Sequence, residues 1–229
     1  VDLGGCRIPK TNRYYTETVC PEYDVDQANA LLDEAGWLDE GSGRQKDVDG
    51  DGTPEELRLR LCTSSGNPLR LTTLGLVAQD LERVGISSDI QTEDGPAVYF
   101  ADWADTTPDT ECSIYRGTYD IALFRWVFTG DLYGDGFYVY HSSQIPSDDN
   151  PNGYNNTRIA DPEIDAAYDT IGGLIDPALQ LEQAAIAQQK LIDTVTEIPL
   201  YPFSETTGVS NRVGGWDGFN PSTAGAPWD

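Results

Sequence analysis

Methionine is absent from the 229 residues, histidine occurs once, and only three of the 14 cations are lysine. Each shortage removes a function class. The single His141 and the lack of any C-x-x-C pair leave no Cys/His zinc set. Fourteen Lys and Arg against 39 Asp and Glu give a net charge of -25. The basic footprint that nucleic acid or an anionic membrane surface requires is therefore missing. No apolar run reaches the ~20 residues that span a bilayer. No GxSxG, HExxH or P-loop pattern occurs. Val1 to Pro9 lack the charged start and apolar core of a signal peptide, so Val1 is expected to follow processing or a boundary.

What is present suffices for a packed core: 38% hydrophobic residues, with 5 Trp, 12 Tyr and 6 Phe. The acid is mostly Asp (26 Asp, 13 Glu). Such a surface suits secretion or a salty medium, where screening relaxes self-repulsion; a merely soluble surface is the plainer alternative. Cys6, Cys20, Cys62 and Cys112 are even in number and favour disulfides in an oxidising compartment. Of the three possible pairings, Cys6–Cys20 with Cys62–Cys112 is preferred, and free buried thiols are the alternative.

Along the chain, residues 1–22 show no periodicity. Asp24 and Gln27 can cap a helix whose apolar face is Ala28, Leu31, Leu32 and Ala35. Residues 38–54 read as a polar loop. Leu57, Leu59 and Leu61 alternate with polar residues as a half-buried strand. Asn67-Pro68 opens a helix striped by Leu74, Val77, Ala78, Leu81 and Val84 and stopped at Gly85. A short strand follows over 86–91, then a short helix around Val98 to Trp103. Tyr119 to Phe128 is the most strand-like stretch, and 129–160 reads as a long loop. Asp161-Pro162 and Asp176-Pro177 open two helices, and Ile198 to Tyr201 reads as an edge strand. Strands alternating with helices predict an α/β fold, helices on a mixed sheet, in one domain over 1–229.

Two constellations carry chemistry. Asp47, Asp49 and Asp51, followed by Gly52, match the first half of a calcium loop, which the Thr53 carbonyl and Glu55 or Glu56 would complete. Arg58 stands where an EF-hand needs its bidentate Glu, so the motif is not an EF-hand; a solvated acidic turn is the alternative. The second cluster is aromatic and amide: Trp126, Phe128, Tyr133, Phe137, Tyr138, Tyr140, Tyr154, Asn155 and Asn156. Apolar walls with a few placed hydrogen bonds suit a ligand pocket, and an aromatic minicore is the competing reading. Paired carboxylates leave a secreted acidic glycoside hydrolase open. The calcium motif leaves a calcium-stabilised extracellular adhesion module open.

Seven segments in order resemble one known family. They are Tyr23-Asp24 through Ala35-Gly36-Trp37, Asp47 to Gly52, Leu57 to Pro68, Asp80 to Ile86, Tyr119-Asp120 through Trp126, Gly153-Tyr154-Asn155-Asn156 with Pro162 to Asp165, and Ile198 to Tyr201. Together they resemble the peptide/nickel-type extracellular solute-binding proteins of ABC importers, family 5, over roughly residues 23–203. The resemblance implies the C-terminal lobe of a type II periplasmic-binding-protein-like fold, with the N-terminal lobe outside this chain. It implies a binding protein and not an enzyme, with no required cofactor and at most a structural calcium. Its partners would be a peptide or other small solute and a membrane permease, and the protein would be a monomer outside the cell, anchored in its full-length form. Trp126, Phe128, Asp131, Tyr154, Asn155 and Asn156 would face the ligand. Peptide-binding members place an Asp shortly after the residue matching Trp126; here the first acid is Asp131.

Overall fold

The computed structural model describes residues 8, 15–41, 43–126, 131–201, 210, 212 and 214. The chain divides into two compact units: Glu22–Arg125, and Val1–Pro21 together with Trp126–Asp229. One domain over 1–229 is the sequence expectation, because no linker composition marks the boundary. The second unit is discontinuous in sequence.

Within Glu22–Arg125, α1 (Val25–Glu34) starts at Asp24, whose carboxylate accepts the Gln27 N–H at 2.8 Å. Helix α2 (Pro68–Glu82) starts at Asn67, whose side chain accepts the Arg70 N–H. Both end in paired bonds around a left-handed glycine. Gly85, at φ +80, donates to the Glu82 carbonyl at 3.0 Å, and Ile86 to that of Leu81 at 3.0 Å. Gly36 and Trp37 do the same for α1. Arg44, 3% exposed, joins the two ends. It donates to the Trp37 carbonyl at 2.7 Å, the Val84 carbonyl at 2.9 Å and Asn29 at 2.7 Å, and pairs with Asp33. A cation at two helix C-termini meets the carbonyls that lack helical donors.

The stretch expected as a polar loop contains an antiparallel meander, β1 (Leu38–Asp39), β2 (Arg44–Lys46) and β3 (Glu55–Glu56). Strand β4 (Arg58–Ser64) lies centrally in a parallel sheet between β5 (Ser87–Glu93) and β6 (Ile121–Leu123). The expected mixed sheet is thus two separate sheets, one antiparallel and one parallel. Burial in strand β4 divides along its length and does not alternate as expected: Arg58 is exposed, Leu59 and Arg60 are intermediate, and Leu61 through Ser64 are all buried. The expected apolar face of α1 is not buried either; Leu31 is 58% exposed. Of the α2 stripe, Leu74 is the one fully buried helix residue.

Strand β6 is three residues long, much shorter than the expected 119–128, of which 127 and 128 lie outside the described residues. Between β5 and β6 the chain forms a one-turn π-helix, Gly95–Tyr99, and a short turn, Trp103–Asp105. Arg116 stacks 3.8 Å over Trp103 and donates to the Trp103 and Thr106 carbonyls, both at 2.6 Å. Cys62 and Cys112 form a disulfide within a core of Tyr99, Ile114 and Tyr115. Cys6 lies outside the described residues; Cys20 takes part in a disulfide.

The second unit is helical: α3 (Leu132–Tyr140), α4 (Pro162–Gly173) and α5 (Pro177–Asp193). Asp161 and Asp176 cap α4 and α5 as their Asp-Pro openings predict. Helix α3 occupies the expected 129–160 loop. It packs closely on α4, where a Cβ on Gly136 would stand 1.9 Å from the Tyr168 ring and one on Gly172 2.7 Å from Tyr133. Tyr140, Ile164, Tyr168, Ile171 and Leu191 form the core. Residues Ile198 to Tyr201, expected as an edge strand, form no strand among the described residues. Helix α5 also holds the entry segment: Gln189 accepts the Val19 N–H at 2.9 Å and donates to its carbonyl at 3.3 Å.

Candidate functional site

Trp126 follows β6 by three residues and is half-buried. It packs with Tyr133, Phe137 and Ile159 against the core of α3, α4 and α5. Tyr133 and Phe137 stack at 4.9 Å, and Phe137 meets the His141 ring at 4.5 Å and Tyr138 edge-on at 5.6 Å. The inner side of this cluster is core, and Tyr138 at its outer side is 52% exposed; Tyr154 is 47% exposed.

The other expected members have different surroundings. Phe128 lies outside the described residues. Asp131 caps α3, its carboxylate accepting the Tyr133 N–H at 3.2 Å. Asn155 is wholly buried. Its amide donates to the His141 carbonyl at 3.1 Å and the Ile159 carbonyl at 2.9 Å, and its oxygen accepts from Thr157 at 2.8 Å. Every polar atom of that side chain holds the 141–159 segment to itself. Asn156 is buried beside it, its N–H on the Tyr154 carbonyl at 2.8 Å.

His141 is a joint. Its Nδ1 accepts the Ser143 N–H at 3.1 Å, and its Nε2 lies 3.4 Å from Asp169. Asp165 accepts both the N–H and the hydroxyl of Ser142. A lone histidine gives no sequence sign of this; the acids that position it are a helix away.

In the acidic loop, one oxygen each of Asp47, Asp49 and Asp51 lies within 4.8 Å of the others, and all three residues are exposed. Asp47 accepts the N–H groups of Gly50 and Gly52, and Glu55 accepts that of Val48 at 2.8 Å. Hard oxygen donors thus converge with Glu55 turned onto the loop, a donor set that fits a calcium-like cation. Strand β3 follows, where an EF-hand would need a helix.

Residues 5–148 match the sequence profile of the bacterial extracellular solute-binding proteins, family 5 (middle region). The chain belongs to that family. It is 28% identical over 156 residues to the oligopeptide-binding protein OppA of Mycobacterium tuberculosis, covering 68% of this chain and 22% of that protein. The oligopeptide-binding protein of Thermus thermophilus, solved with a pentapeptide, superposes with a TM-score of 0.71 at 24% identity, over 85% of this chain and 32% of that one. The oligopeptide-binding protein of Thermotoga maritima, solved with mannohexaose, superposes at 0.57 and 21% identity, over 82% and 31%. The last two show the fold. This chain spans about a fifth of the length of the curated relatives it matches. Family 5 consists of extracellular binding proteins and not enzymes, which removes the hydrolase reading.

Proposed function

We propose that this chain is the C-terminal-lobe part of an ABC-importer receptor that binds a peptide or related small solute and delivers it to a membrane permease. The observation that carries the reading is the aromatic cluster of Trp126, Tyr133 and Phe137, with Tyr138 half exposed beside it. Apolar walls with a few placed polar groups suit a small-solute site. In this reading Trp126 and Tyr154 supply apolar contact and Asn156 an orienting hydrogen bond. Asp131 contributes negative charge near the start of α3. Asn155 acts by position, since its hydrogen bonds are spent within 141–159. Peptide is favoured as ligand by the oligopeptide-binding relatives; an oligosaccharide suits the same aromatic surface.

The test uses the full-length receptor and calorimetry with a peptide library. Trp126→Ala is expected to weaken binding by more than about 1 kcal/mol, as buried aromatic anchors do. Asn155→Ala is expected to lower stability more than affinity. Unchanged affinity in Trp126→Ala with reduced stability would assign Trp126 to the core.

A structural calcium at Asp47, Asp49, Asp51, the Thr53 carbonyl and Glu55 belongs to the same proposal. Calcium is expected to raise the melting temperature, chelator to reverse the rise, and Asp49→Ala to abolish it. Equal melting with calcium and with chelator would leave an acidic turn.

A further inference from the structure

One face of the parallel sheet is roofed along only half its length. Side chains alternate across a strand, so Arg58, Arg60, Cys62 and Ser64 share a face of β4. Register brings Asp89 beside Arg60, and Gln91 and Ala122 beside Cys62. Over the carboxyl half lie Tyr99, Cys112, Ile114 and Tyr115, bonded to Cys62 through the disulfide. Tyr99 donates its hydroxyl to the Cys62 and Leu123 carbonyls at 3.3 and 3.2 Å, and burial pushes its pKa up. The roof ends at the turn through Thr118. The amino half stays open as a cleft of about 380 Å³ lined by Arg58, Leu59, Arg60, Asp89, Thr118 and Asp120.

The lining is charged and balanced. Arg58 is committed to Asp89 through two bonds of 2.5 and 2.6 Å. Arg60 is held loosely: its guanidinium reaches the Thr118 carbonyl at 3.4 Å and Glu111 at 3.5 Å, at the long limit for hydrogen bonds. Asp120 spends one carboxylate oxygen, Oδ2, on the Arg60 N–H at 2.6 Å. The Arg60 backbone thereby fixes the Asp120 carboxylate in the same cleft as the Arg60 side chain, whose ion-pair partner is Glu111. In a chain of net charge -25, a simple anion is repelled by the overall field, and a simple cation finds acids everywhere. A molecule carrying both charges fits this cleft selectively.

We propose that the cleft binds a small zwitterion, a free amino acid or dipeptide, with its carboxylate on Arg60 and its ammonium on Asp120. The site lies at the amino ends of β4, β5 and β6 and does not depend on the Trp126 reading.

Glycylglycine titrated into the 229-residue protein, followed by amide NMR, tests this. The Arg60, Thr118 and Asp120 amides are expected to shift. N-acetylglycylglycine, which lacks the ammonium, and glycylglycinamide, which lacks the carboxylate, are each expected to bind about tenfold more weakly, as does loss of a charge-assisted bond. Arg60→Gln and Asp120→Asn are expected to weaken glycylglycine to a similar extent, and Trp126→Ala to leave it unchanged. No shifts at millimolar glycylglycine, shifts elsewhere, or equal binding of the blocked analogues would overturn the proposal. Should Asp120→Asn fail to fold, the comparison of analogues on the unmodified protein still decides. Loss of glycylglycine binding in Trp126→Ala would move the ligand to the aromatic surface.

Discussion

The Glu22–Arg125 unit buries its core against a short parallel sheet under a roof of irregular chain, whereas the core described in the second unit is α3, α4 and α5 packed helix on helix. The roof between β5 and β6 is held by turns and single helical turns, and ordering such chain costs roughly 1–2 kcal/mol per residue. The Cys62–Cys112 disulfide and the Arg116–Trp103 stack offset that cost. The helices need no such tie, because hydrogen bonds within each helix are local. Their demand is for close approach, met where Gly136 admits the Tyr168 ring. The sheet core is tied by a covalent constraint, and the contact of α3 with α4 depends on the absence of a single methyl group.

That contrast can be broken from either side. Replacing Cys62 and Cys112 by Ala removes a closed loop of 50 residues' separation and is expected to cost about 4 kcal/mol. Hydrogen exchange should show the lost protection in β4, β6 and 94–118, with α3, α4 and α5 less affected. Loss spread evenly over both units would erase the distinction. Gly136→Ala is the converse, expected to cost about 3 kcal/mol by overpacking against Tyr168. Its exchange signature should fall in α3 and α4; a change within experimental error would mean that Tyr168 swings away freely.

Two smaller changes sharpen the comparison. Helix α5 ends like α1 and α2, with Val195 donating to Ile192 at 2.9 Å and Thr196 to Leu191 at 3.1 Å. The left-handed position, however, is a valine at φ 52. Val195→Gly is expected to stabilise by about 0.5 kcal/mol, the relief of strain exceeding the added chain entropy, read as a rise in the urea midpoint. Smallest is the Arg58–Asp89 pair. Its hydrogen bond to Arg58 lowers the Asp89 pKa in the folded protein. The associated stability is present above the ordinary carboxylate pKa and fades as pH falls through the lowered one. Both side chains are half exposed, so the effect should be slight and weakened by salt. Asp89→Asn should flatten the acid limb of a stability–pH curve.

What the sequence makes legible is what local chemistry decides. Asp161-Pro162, Asp176-Pro177 and Asn67-Pro68 announce helices because a cap bond spans two or three residues. Gly36 and Gly85 announce ends for the same reason. Helix α3 stays hidden because Gly134 and Gly136 each weaken a helix by about 1 kcal/mol, and the compensating Tyr168 lies more than thirty residues on. The β1–β3 meander stays hidden because its two- and three-residue strands depend on Arg44 meeting two distant helix ends. In the candidate site the aromatic cluster is visible as composition. Which members face inward is not, since Asn155 becomes a clamp only through the His141 and Ile159 carbonyls.

The discontinuous make-up of the second unit has a consequence for how the chain emerges from the ribosome. Glu22–Arg125 is one uninterrupted stretch, with both halves of its disulfide, and is complete before α3 has been made. Thr16 and Val19 are translated earlier still, yet the side chains that hold them, Gln188 and Gln189, arrive some 170 residues later. The Glu22–Arg125 stretch can therefore mature first, while Thr16 and Val19 stay unfastened until α5 has been made.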